Sequence, residues 1–181
     1  MKKRTAIGII IVVLCSMMIA SCQLLLSSEE RKLVGKWHEK IQETEDFVTI
    51  YIEGWDEYTE DKDMSSYGKI TLQYNIGDEG YNFIVYATVN FKSTGTWEIA
   101  DGDKLISKNN EIEFSNVQIS SATELDADGV QDFKKRIKQD VLSDLRDEML
   151  EKDTTEVVLI TDKEFKYKDD DGKVYTMTRV N

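Results

Sequence analysis

What most limits the fold of this chain is its rhythm. From residue 34 to residue 180, short β-branched and aromatic runs alternate with turn signals, and a single helical stripe interrupts them. Residues 34–43 open with a glycine and a tryptophan. Residues 47–53 read Phe-Val-Thr-Ile-Tyr-Ile-Glu, a strand composition. Residues 55–66 read as a polar, acidic loop. Residues 67–75 alternate, with Tyr67, Ile70, Leu72 and Tyr74 apolar. A glycine turn at 77–80 leads into a long strand over 82–92. Strands at 95–100 and 104–108 flank Asp101-Gly102-Asp103, a hairpin signal. Over 111–120 the apolar positions are Ile112, Phe114, Val117 and Ile119, and the change of phase at Ser115-Asn116 marks a bulge.

The stripe lies further on. Val130, Phe133, Ile137, Val141, Leu145 and Met149 recur at intervals of three or four, with charged residues between them. That spacing predicts an amphipathic helix over about 128–152, with Asp126 and Asp128 as cap candidates. It either packs on a sheet or serves as a movable lid or partner-binding helix. Strands follow at 156–161, 164–168 and 173–180, with turns at Thr161-Asp162-Lys163 and Asp169-Asp170-Asp171-Gly172. About eight to nine antiparallel strands with short turns and one inserted amphipathic α-helix predict a mainly β chain, closed or nearly closed into a β-barrel. The chain shows no internal repeat and no low-complexity linker, which fits one domain over 33–181.

The first twenty-one residues read as a signal peptide and carry no fold information. Lys2, Lys3 and Arg4 form a positive start, and an apolar run follows from Ala6 to Leu14. The run is too short and broken for a permanent span, which needs about 20 apolar residues. It ends in Ile19-Ala20-Ser21-Cys22, which resembles the bacterial lipobox. The resemblance implies cleavage before Cys22 and acylation of its thiol and freed amine, palmitate being a typical chain. Each buried CH₂ of such a chain contributes about 0.8 kcal/mol to anchoring. Gln23, where an Asp would retain an enterobacterial lipoprotein at the inner membrane, implies the outer membrane in a Gram-negative cell. Residues 22–32 then read as a lipidated tether.

Charge and cysteine content narrow the function. The chain carries a net charge of −12, and loss of the three leader cations takes the mature body to −15. Such a body repels phosphate backbones, so nucleic acid is not an expected partner. Cys15 leaves with the leader and Cys22 is acylated, so no thiol remains for a disulfide, a zinc site or a nucleophile. His38 is the sole histidine, and as the neighbour of Trp37 on a strand it should face outward. The acids at 56–63 and at 169–171 read as solvated loops rather than cation sites, the second lacking the spaced ligands of a calcium loop. No metal, cofactor or catalytic residue is expected.

The Gly35-Lys36-Trp37 start, the Thr94-Gly95-Thr96-Trp97 run and the closing Tyr175-Thr176-Met177-Thr178-Arg179 together resemble the lipocalin-like domain of small bacterial lipoproteins. That resemblance implies a barrel whose closed end is filled by Trp37, with Arg179 lying across it. The helix before the last three strands departs from the usual lipocalin order. A non-enzymatic protein of the cell envelope is expected, binding a small apolar or amphipathic ligand. Tyr51, Tyr67, Tyr74, Phe83, Tyr86 and Phe91 are the candidate cavity wall. The alternative is an envelope protein-interaction module with a side-chain-filled barrel. An apolar interior volume of roughly 300 Å³ or more separates the two.

Overall fold

The computed structural model describes residues 26–45, 47–78, 81–121 and 127–180; the leader and Cys22 lie outside them. Among the described residues, eight antiparallel strands follow one another round a closed ring: β1 (Gly35–Glu45), β2 (Val48–Tyr58), β3 (Asp63–Asp78), β4 (Tyr81–Ala100), β5 (Lys104–Ser121), β6 (Lys152–Ile160), β7 (Glu164–Lys168) and β8 (Val174–Val180). A short helix, α1 (Ser28–Leu33), precedes β1. Between β5 and β6 the chain is helical: α2 (Ala127–Arg136), a π turn (Ile137–Val141) and α3 (Leu142–Leu150).

Two pairs of runs expected as separate strands are continuous. The runs at 82–92 and 95–100 form β4, and those at 104–108 and 111–120 form β5. β5 absorbs its irregularities as bulges. Thr94 and Gly95 face Glu111 and Asn109, and Thr88 and Asn90 face Gln118 and Ser115. Asn116 takes a left-handed φ of 53° at the second bulge. The extra residue keeps Phe114, Val117 and Ile119 in one apolar cluster although their numbers change parity.

The ring is closed unevenly. β3 and β4 pair from Asp63–Thr96 to Asp78–Tyr81, whereas β5 meets β6 only over Lys104–Lys108, and β1 meets β8 only over Lys36–His38. Beyond those short seams β1 to β5 continue as a trough, and the long helical stretch covers its inner face. The inner face is identified by parity. On β3, Met64 belongs to the closed-ring core and Ile70 and Leu72 to the helix-covered core, all at even positions.

The helix meets the trough through buried Ile137 and Leu142, with Phe133 edge-on to Tyr74 at 5.3 Å between ring centroids. An apolar row spaced every four residues drifts about 40° per step round a helix of 3.6 residues per turn. The wider π turn in mid-helix offsets that drift and holds the row against the sheet. Asn109 of β5 donates to the Met149 carbonyl at 2.9 Å and so ties down the helix end.

The segment expected as a tether is partly structured. Ser27 and Glu30 form a reciprocal capping box, with the Glu30 amide donating to the Ser27 hydroxyl at 3.2 Å and the Ser27 amide to the Glu30 carboxylate at 2.7 Å. Leu26 and Leu33 are buried in the ring core, so 26–33 is a lid on the closed end.

Candidate functional site

The ring interior is layered. The closed end is filled. Trp37 and Phe165 are fully buried, edge to face at 5.9 Å, and the Trp37 indole donates to the Leu33 carbonyl at 2.7 Å. Arg179 lies over the Trp37 ring at 4.2 Å and donates to the Val34 and Lys32 carbonyls, the otherwise open end of α1. Gly35 has φ +133°, and a Cβ there would strike the Arg179 guanidinium, which accounts for the glycine of the Gly-x-Trp start. The far layer is filled by the helix. Within that layer, Phe91 lies over the facing pair Gly54 and Gly68, where a Cβ on Gly68 would meet the Glu53 carbonyl and the Phe91 ring.

The middle layer is open. A cavity of about 150 Å³ is lined by residues from seven of the eight strands, which places it on the ring axis. Its wall includes Glu39 of β1, Asp56 and Tyr58 of β2, Ser66 of β3, Asp153 of β6 and Tyr167 of β7, and no lysine or arginine. Burial pushes the Glu39 carboxyl up from 4.5 to about 7; the Asp56 charge adds to this, and a 2.9 Å bond from the Tyr167 hydroxyl opposes it. Burial lifts Asp56 from 3.8 to about 6 against the nearby Ser66 hydroxyl. Asp153 is raised by burial and by Asp170. Glu39 and Asp56 are half-buried carboxylates without a cationic partner in the wall, so their neutral form is favoured, whereas Asp153 stands at the exposed edge.

Tyr58 completes the site. Its ring stands edge-on to Trp97 at 5.6 Å, and the residue is only 6% exposed. Its hydroxyl is raised by burial and then by the charges of Asp56, Glu39 and Asp153.

Beyond His38 the β1–β8 ladder stops and leaves a slot between the strands. Side chains bridge the gap. Tyr167 donates to Glu39, Tyr175 donates to Glu43 at 2.5 Å, and Lys173 pairs with Glu43 at 2.8 Å. The Tyr167 and Tyr175 rings stack at 5.2 Å.

Of the aromatic residues expected as the cavity wall, the five whose side chains are described lie elsewhere. Tyr51 and Tyr67 are exposed on the outside, Tyr51 donating to Gln73 at 3.3 Å and Tyr67 stacking on Trp55 at 5.5 Å. Tyr86 sits on the opposite face of β4 from the buried row Val85, Ala87 and Val89. Tyr74 and Phe91 face inward but belong to the helix-covered layer. For Phe83 only the strand position is described, and Cys22 lies outside the described residues. His38 stacks beside Trp55 at 4.8 Å and pairs with Glu53 at 3.3 Å, away from the cavity.

The acids of the cavity were legible in one respect. Glu39 and Trp37 share a parity on β1, so an inward Trp37 places Glu39 inward as well. Asp56 was hidden by reading 55–66 as a loop. β2 runs to Tyr58, and only residues 59–62 form the turn. Asp153 belongs to β6, which begins at Lys152, four residues before the expected strand.

Among the described residues, no group of three His, Cys, Asp or Glu side chains is placed to hold a metal ion, and no helix is long and apolar enough to cross a membrane. No protein-family model matches the chain, and neither does any curated protein.

Proposed function

We propose that this chain is a lipid-anchored, non-enzymatic envelope protein of lipocalin-like architecture that holds a small polar molecule inside its ring. One observation carries the reading: a cavity of about 150 Å³ on the ring axis, walled by Glu39, Asp56 and Asp153 and by no basic side chain. Two of the three interior layers are packed solid, so binding is confined to the middle one. At about 150 Å³ that layer is about half the usual lower bound of roughly 300 Å³ for ligand pockets, and its acids disfavour an apolar guest. The occupant is therefore smaller and more polar than the sequence led one to expect.

The anchor sets the orientation. Cys22 precedes Leu26 of the closed-end lid by four residues, which span at most about 14 Å when extended. An acylated Cys22 holds the Trp37 end against the bilayer and turns the trough and slot away from it. Cys22→Ala should abolish incorporation of an alkyne-tagged palmitate in cells; undiminished labelling would remove the anchor. The interior reading is tested by native mass spectrometry of the protein purified from its own cells near neutral pH. A small non-covalent adduct released on unfolding is the expected result, and a bare chain mass counts against occupancy.

A further inference from the structure

We infer that the cavity is a binding site for a small organic cation bearing a primary ammonium or guanidinium group. The inference rests on the interior-binding reading above and names its ligand class. Glu39, Asp56, Tyr58 and Asp153 line one cavity, and no basic side chain shares the wall. The lysines at the neighbouring edges are engaged: Lys62 with Glu30, Lys168 with Glu156, and Lys173 with Glu43 across the slot. Tyr58 supplies a hydroxyl oxygen that can accept from an N–H, and Phe165 and Tyr167 supply aromatic surface that attracts a cation. An anion would meet only like charge. A bare metal ion would need ligands closer together than these acids are. The volume holds about five water-sized groups, at about 30 Å³ each, which suits a cation of few heavy atoms.

The same wall makes the site pH-dependent. The groups facing the guest are Glu39 on β1, Asp56 and Tyr58 on β2, Asp153 on β6 and Tyr167 on β7; Glu43, Asp169, Lys173 and Tyr175 stand at the slot, and Asp170 acts on Asp153. The two strongly raised acids are protonated in mildly acidic solution and ionised in mildly alkaline solution. A cation is therefore held when the carboxylates are charged and released when they take up protons.

The test uses the full chain in a non-ionic detergent and isothermal titration at about pH 8 and about pH 5, values that bracket the two acids. The probes are ethanolammonium chloride, its neutral counterpart ethylene glycol, and magnesium chloride. Ethanolammonium should bind at about pH 8 and weaken at least tenfold at about pH 5, while ethylene glycol binds at least tenfold more weakly throughout. Glu39→Gln with Asp56→Asn should abolish the charge preference while the circular dichroism spectrum stays unchanged. If that variant does not fold, Tyr58→Phe replaces it, and it should weaken ethanolammonium at least tenfold, as loss of a buried hydrogen-bond partner does. Equal binding of ethylene glycol overturns the cationic class but leaves the interior site standing. Saturation by magnesium alone overturns the organic cation. No saturable binding by any probe at either pH overturns the class and the interior site together.

Discussion

Trp37→Ala is expected to cost about 3–5 kcal/mol of unfolding free energy, the range for large aromatic deletions in cores. The ring is fully buried, so its removal leaves a void beside Phe165 and Met177 that the closed strands β1, β7 and β8 cannot collapse to fill. The change also removes the indole donor to the Leu33 carbonyl and the π face beneath Arg179. Those two contacts join α1 to the ring, so the lid should loosen as well. Urea unfolding of the wild-type and variant chains, followed by circular dichroism, measures the loss. Proteolysis at 26–34 should become faster in the variant at denaturant concentrations where the ring is still folded. A loss below about 1 kcal/mol would place Trp37 among ordinary half-exposed residues.

The closed end and the cavity differ in how far local pattern determines them. Trp37 and Arg179 pair across β1 and β8 in register, and both are set by strand alternation and a glycine whose φ only glycine adopts readily. Such features are local, and a sequence displays them. The helical stripe was equally plain, because its period differs from that of every strand around it. Its location was not: amphipathicity states that one face is covered, not that the covering surface is the inside of a trough. The cavity wall depends on which strands end early. β6 to β8 are short and β1 to β5 long, and that mismatch leaves Glu39 and Asp56 inside the ring yet clear of both packed layers. Strand ends are poorly marked by composition, which is how Asp56 came to be read as a loop acid. The outward aromatics misled for a related reason. Tyr51 and Tyr67 lie on the outer face, Tyr67 against Trp55, and the chemistry that suits tyrosine to a wall also suits it to a half-wet surface.

Glu39→Gln is expected to stabilise the protein at pH 8 by roughly 3 kcal/mol and to flatten its dependence on pH. The folded chain holds a proton on Glu39 up to about pH 7, whereas the unfolded chain releases it near 4.5; for Asp56 the two values are about 6 and 3.8. Below about pH 3 both states are protonated and neither acid costs anything. As the pH rises the unfolded chain ionises first, the folded chain binds more protons, and stability falls until about pH 7, beyond which it levels off. A shift of about 2.5 units at about 1.4 kcal/mol per unit gives the stated size for Glu39. The contributions of Glu39 and Asp56 do not add fully, because part of the Glu39 shift is repulsion from Asp56 itself. Glu30 and Glu43 act in the other direction. Their partners lower them, so their contribution is complete above about 4.5 and fades as the pH falls. The wild-type chain should therefore be most stable near pH 4 to 4.5 and lose stability from there to about pH 7, and urea unfolding from about pH 3 to 9 should trace that fall. Equal stability of wild type and Glu39→Gln at pH 8 would mean that the carboxylate is well solvated and the cavity open to bulk water. The variant also separates repulsion from binding. A cation seated among the acids relieves the same repulsion that the substitution removes, so ethanolammonium should stabilise the wild type at pH 8 and leave Glu39→Gln little changed.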